Sequence, residues 1–101
     1  MNINPFDILK NASAFREQFT RMQESLAGET VTGSSGGGIV SVTLNGRFEL
    51  VAVRLDPVAV DPRDIPMLQD LIVAAHADAV ERVKELLKER MGPLAGGMSA
   101  V

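Results

Sequence analysis

Near the start of the chain Ile8, Ala12, Phe15, Phe19, Met22 and Leu26 recur at alternating steps of four and three residues. Side chains spaced in this way lie over one another along one face of a helix, so the row is an apolar seam three heptads long. Phe15 and Phe19 are its largest knobs. Pro5 suits a first helical turn, Asp7 suits the positive end of the helix dipole, and Gly28 is placed to stop the helix. A helix of this span is about 30 Å long, whereas a compact domain of about 100 residues has a radius of gyration of only about 13 Å. A chain of 101 residues cannot hold such a rod inside one small globule, so an arm is expected to project. An apolar seam on an arm needs a partner.

A second helix, predicted from about Asp64 to Met91, is the partner expected for that seam. Leu68, Leu71, Ile72, Ala75, Ala79, Val83 and Leu86 share one face, and Val73, Val80, Leu87 and Met91 form another line at heptad spacing. Asp64 and Pro66 are start signals, and Gly92-Pro93 ends the helix. The stripe is wider than one contact surface, so this helix is expected to pack on its own domain and on a second copy. A symmetric homodimer follows as the expectation. Phe15, Phe19, Met22, Val73 and Val80 are its candidate interface or helix-packing residues.

Between the helices the apolar period falls to two. Segments 38–43 and 48–55 read as strands around Leu44-Asn45-Gly46-Arg47. A three-residue loop, Leu44-Asn45-Gly46 with Gly46 left-handed, pairs Val42 with Phe48 and Val40 with Leu50. It keeps the two faces more distinct than a two-residue Asn-Gly loop does. Ile39, Val51 and Val53 make the second face apolar as well, so cover on both sides is expected there, and these three join the interface candidates. A further short strand is expected over Glu29-Thr30-Val31-Thr32.

That strand places the run Gly33-Ser34-Ser35-Gly36-Gly37-Gly38 between two strands. Gly33 and Gly38 have the glycine spacing of a Walker phosphate loop, but Ile39 and Val40 stand where Lys and Ser/Thr are needed, and a strand follows instead of a helix. The dinucleotide pattern fails at Ser41, and there is no helix N-terminus to favour an anion. The run reads as a turn whose glycines permit positive φ.

The chain contains no Cys and a single His, His76, which excludes disulfides, thiol catalysis and the usual zinc or copper sites. No nucleophile neighbours His76 in sequence, and it reads as a packing or interface residue. Asp56, Asp61 and Asp64 miss the EF-hand spacing, and the Asp-Pro steps are turn and cap chemistry. No enzyme activity, cofactor or metal is expected. The N-terminus lacks the pattern of a signal peptide, and no apolar run spans a bilayer, so a cytoplasmic protein without membrane attachment or a small-molecule substrate is expected.

The net charge is −3, and the deficit lies after position 55, where eight acids face five bases. No dense basic patch announces nucleic acid. Lys10, Arg16 and Arg21 on the first helix, and Arg82, Lys84, Lys88 and Arg90 on the second, suit either a solvated face or phosphate contacts. Asp78, Glu81, Glu85 and Glu89 interrupt the second set. With no Trp or Tyr, and with the Phe residues assigned to seam or sheet positions, base stacking is not expected.

The predicted order is α+β: a long helix, a three-stranded antiparallel meander and a long helix, in one domain over 1–91 with a flexible tail over 92–101. Two stretches now become informative. Residues 31–46, with their Gly-Ser run leading into a strand, resemble the YbaB/EbfC family of bacterial nucleoid-associated proteins. So does Leu68-x-Asp70-Leu71-x-x-Ala74-Ala75-x-x-Asp78-Ala79, together with Gly97-Met98. The resemblance runs over roughly positions 6 to 98. It implies a tweezer-like homodimer with projecting helical arms, associated with the nucleoid, that binds double-stranded DNA and organises the chromosome or influences gene expression. It implies DNA contact from the two long helices, where the seven bases above lie. Such contact would be to phosphates, steeply salt-dependent and weakly sequence-selective. The competing expectation is a non-enzymatic adaptor that docks on DNA-replication or recombination proteins and binds little or no DNA.

Overall fold

The computed structural model describes residues 5–92. Helix α1 covers Pro5–Ala27, strands β1, β2 and β3 cover Thr30–Ser35, Val40–Asn45 and Leu50–Leu55, a 3₁₀ turn covers Pro57–Ala59, and helix α2 covers Ile65–Met91. The strands form an antiparallel meander in the order β1-β2-β3. The α+β reading and both helix spans match the expectation. Of the flexible tail expected over 92–101, all but Gly92 lies outside the described residues.

The core is where α2 lies on the sheet. Val40, Val42 and Leu44 of β2 are buried beneath Ala75, Ala79 and Val83 of α2, with Ala59 at the margin. Burying a Val or Leu side chain contributes about 1.5–3 kcal/mol. The alanines let the helix backbone come down onto β1. A Cβ built on Gly33 would stand 2.2 Å from the Ala79 nitrogen and 2.5 Å from the Ala75 carbonyl oxygen, so only glycine fits. Asp64 caps α2 by accepting from the Met67 N–H at 3.2 Å, and α2 ends at Gly92, whose φ is +52°.

The glycine-serine run divides in a way the sequence reading did not foresee. Gly33, Ser34 and Ser35 continue β1, and the turn is Gly36-Gly37-Gly38, with φ of +60°, +75° and +99°. The β2–β3 register also differs from the expectation. Val42 pairs with Val53 and Val40 with Leu55, not with Phe48 and Leu50, and a bulge follows Thr43. The cause is Asn45. Its Oδ1 accepts from the N–H groups of Arg47 and Glu49 at 2.9 and 3.0 Å, and its backbone N–H donates to the Glu49 carbonyl. This lengthens the loop and starts β3 at Leu50. The left-handed residue is Phe48, at φ +62°, rather than Gly46. Gly46 is needed for a different reason: a Cβ there would lie 2.6 Å from the Leu26 carbonyl oxygen.

The largest departure concerns α1. Its seam was expected to meet α2, but within the chain the two helices do not pack along one another. The described side chains of α1 from Phe6 to Ser25 are exposed. The Ala75–Ala79–Val83 face of α2 is already used by the sheet, and the root of α1 is seated on the far hairpin, where the Gly46 N–H donates to the carbonyls of Leu26 and Glu29 at 2.9 and 3.0 Å. The helix therefore projects. The molecule measures 72 × 27 × 18 Å with a radius of gyration of 19.8 Å, well above the roughly 13 Å of a compact domain of this size.

The cover expected on both sides of the sheet is also missing within one chain. Every residue of β3 is exposed, because α2 lies over β1 and β2 and leaves β3 as the open edge.

Candidate nucleic-acid interface

The bases of α2 are mostly engaged by carboxylates. Arg82 Nε lies 3.3 Å from Asp78 Oδ2, and Lys84 Nζ lies 3.2 Å from Glu81 Oε1. Arg90 makes a two-pronged pair with Glu29, from Nε to Oε2 at 3.0 Å and from Nη2 to Oε1. Among the described residues Lys88 has no carboxylate within ion-pair distance. Lys88 and Arg90 occupy the last turn of α2, where cations suit the helix dipole.

Asp78 does more than separate bases in sequence. Its Oδ2 also accepts from the Ser34 N–H at 3.0 Å, which occupies an outward donor on the β1 edge. That backbone hydrogen bond, then the one from Arg82, hold the Asp78 carboxyl below its ordinary range. Asp61 is likewise held low, by the Arg63 side chain and then the Arg63 N–H. Neither the Glu29–Arg90 pair nor the role of Asp78 on β1 leaves a signal in the sequence, since their partners lie 61 and 44 positions away.

Lys10, Arg16 and Arg21 stand differently. All three are exposed on α1, and among the described residues none has a carboxylate within ion-pair distance. Glu17, one turn before Arg21, has the spacing of a helical ion pair yet does not form one. The same surface carries Ser13 and Thr20, whose hydroxyls can also donate to phosphate.

The interface candidates separate into two groups. Ile39 and Val80 are half-buried against the chain's own core. Phe15, Phe19, Met22, Val51, Val53 and Val73 are exposed. Val53 and Val73 line an apolar groove of about 270 Å³ with Val42, Leu50, Ile72 and His76. The sequence reading missed Leu50, Leu55, Val58 and Val60, which are exposed on and just after β3. It also misplaced two phenylalanines: Phe48 sits in the turn, and Phe6 lies about half a turn round α1 from the seam.

No arrangement for catalysis emerges from these groups. Asp56, Asp61 and Asp64 serve separate local contacts, accepting from the N–H groups of Val58, Arg63 and Met67. Among the described residues no group of three His, Cys, Asp or Glu could hold a metal, and no helix is long and apolar enough to cross a membrane.

The YbaB/EbfC DNA-binding family matches residues 1–98. The chain belongs to that family. A nucleoid-associated protein of Mycolicibacterium vanbaalenii is 50% identical over 94 residues, covering 93% of this chain and 86% of the relative. A nucleoid-associated protein of Roseiflexus sp. strain RS-1 is 47% identical over 96 residues, covering 95% of each. The crystal structure of an uncharacterized protein from Helicobacter pylori has the same fold, with a TM-score of 0.74 at 27% identity over 96% of this chain and 98% of the other.

Several of the residues that carry the YbaB/EbfC resemblance have a structural explanation here, while Gly97-Met98 lie outside the described residues. Leu68 and Leu71 pack on the core, Ala75 and Ala79 receive Gly33, and Asp78 takes the Ser34 N–H. The Ser35 hydroxyl donates to the Leu71 carbonyl at 2.6 Å. The glycine-serine run and the helical signature are thus the two halves of one joint, which seats α2 on β1.

Proposed function

We propose that this YbaB/EbfC chain binds double-stranded DNA as a homodimer, chiefly through phosphate contacts from bases on its long helices, and acts on the nucleoid in chromosome organisation or gene regulation. The observation that carries the reading is the projecting α1, with exposed bases and an apolar seam that its own chain leaves uncovered. A second copy covering Phe15, Phe19 and Met22 removes that seam from water and presents two arms to one duplex. Contacts to phosphate rather than to base edges make the binding weakly selective and steeply dependent on salt.

The test is fluorescence anisotropy with a labelled 30-base-pair duplex across a salt series, beside light scattering for the mass in solution. Micromolar or tighter binding that weakens with salt, by a protein of twice the chain mass, is the expected result. A net charge of −3 and the carboxylates beside Arg82, Lys84 and Arg90 favour the second reading, an adaptor that docks on DNA-maintenance proteins. Absence of binding even at low salt would select it.

A further inference from the structure

The two long helices carry similar numbers of bases but leave them in different electrostatic states. On α2, Arg82, Lys84 and Arg90 each have a carboxylate at hydrogen-bonding distance, and of the four bases there only Lys88 has none among the described residues. Such a neighbour cancels much of the field that a phosphate would feel. If the phosphate displaces it, the carboxylate remains a few ångströms away and repels it. Two of these pairs also have structural work. Glu29 joins the start of β1 to the end of α2, and Asp78 holds both Arg82 and the edge of β1. Helix α2 itself lies against the sheet, so part of its surface is already taken.

On α1 none of the bases has such a partner among the described residues. Lys10 and Arg21 are eleven positions apart, which places them on one line about 17 Å apart along the helix axis. That line is roughly opposite the Phe15–Phe19–Met22 seam, so a second copy covering the seam leaves both bases facing water. Arg16 lies on the flank. Glu17 shares the line between Lys10 and Arg21, and Glu24 and Asp7 bring the charge of the helix to zero.

We infer that, within the DNA-binding reading on which this rests, α1 carries the duplex contact through Lys10, Arg16 and Arg21, while Arg82 and Arg90 chiefly fasten the fold and Lys84 is held by its helical neighbour Glu81. Helix α1 is then two-faced: its seam meets protein and its opposite side meets phosphate. Glu17 is an unfavourable neighbour in the middle of that contact.

The assignment is tested with the full chain, a labelled 30-base-pair duplex and a salt series. The variants are Lys10→Gln/Arg16→Gln/Arg21→Gln, Arg82→Gln/Lys84→Gln/Arg90→Gln, and the single changes Glu17→Gln and Glu85→Gln. The α1 triple variant is expected to weaken binding at least about tenfold and to flatten the log–log salt slope by about 0.9 for each base lost. The α2 triple variant is expected to lose less than about threefold. Circular dichroism melts identify a variant that fails to fold. The two single variants guard against that outcome, because each removes one exposed charge of the same sign. Glu17→Gln tightens binding more than Glu85→Gln if the contact is on α1. Equal tightening by the two, or a loss in the α2 triple variant as large as in the α1 triple variant, would overturn the assignment while leaving DNA binding intact. A wild-type protein that binds no duplex would instead overturn the DNA-binding reading, and this assignment with it.

Discussion

Helices α1 and α2 are both long, both amphipathic and both dotted with charge, yet they stand in opposite situations. Helix α2 lays Ala75, Ala79 and Val83 on the sheet and ties its charged side to the rest of the chain. Among the described residues helix α1 meets the rest of its chain at its root, and Phe15, Phe19 and Met22 remain in water, with Phe15 69% exposed. Amphipathicity therefore says that a helix will be covered on one side, but not by what. The difference lies in side-chain size. Small residues on α2 allow backbone to rest on backbone at Gly33, whereas the seam of α1 carries phenylalanines, which suit a broad and separate partner surface.

The sharpest contrast comes from substitutions at the two seats. Gly33→Ala puts a methyl group against backbone atoms of α2 that cannot rotate away, and about 3 kcal/mol of stability is expected to be lost in urea unfolding. A wild-type-like midpoint would mean that α2 does not approach β1 this closely. Gly46→Ala meets the Leu26 carbonyl and Cβ at the root of the arm. Here about 1–2 kcal/mol is expected, because the arm can tilt, and the accompanying loss of the hydrogen bond from the position-46 N–H to the Leu26 carbonyl should show as faster amide exchange at that position. Equal costs at the two glycines would erase the distinction between core joint and arm seat.

Phe19→Asp tests the exposed seam. Within one chain the change falls on the surface, so thermal unfolding of dilute protein is expected to shift by no more than about 0.5 kcal/mol. Light scattering is expected to report a monomer. A variant that stayed dimeric would remove the seam from the interface.

The smallest effect concerns Asp78, whose carboxyl is held low by the Ser34 N–H and by Arg82. A lowered folded-state pKa adds stability that is complete above the ordinary value of 3.8 and fades as pH falls through the folded value. Asp78→Asn should thus flatten the stability profile only below about pH 4 and leave its slope near neutrality unchanged. A changed slope near pH 7 would assign the effect to another group.

Much of this was legible in the residues, for local reasons. Both helix spans follow from the recurrence of apolar residues and from the stop signals at Gly28 and Gly92, and the projecting arm follows from helix length against domain size. The seven bases could be found but not ranked, since pairing depends on rotamers and on distant chain. Glu17 and Arg21 have the spacing of a pair and remain apart, while Glu29 and Arg90 have none and meet. The β2–β3 register was misread because the side chain of Asn45 organises the loop, and that hydrogen bonding outweighs the match of apolar faces across the strands.

Periodicity is a property of consecutive residues, so the order of helix, meander and helix could be written from the chain alone. So could the need of the first helix for a partner, and the YbaB/EbfC motifs themselves. Which apolar face meets which is a matter of three-dimensional fit. The same alanines that read as one stripe among several are the place where α2 meets Gly33, and once that joint closes no surface of that kind remains for α1. Packing is exclusive in a way that sequence pattern is not, and that exclusion sends α1 outward, where its bases have no ion-pair partner among the described residues.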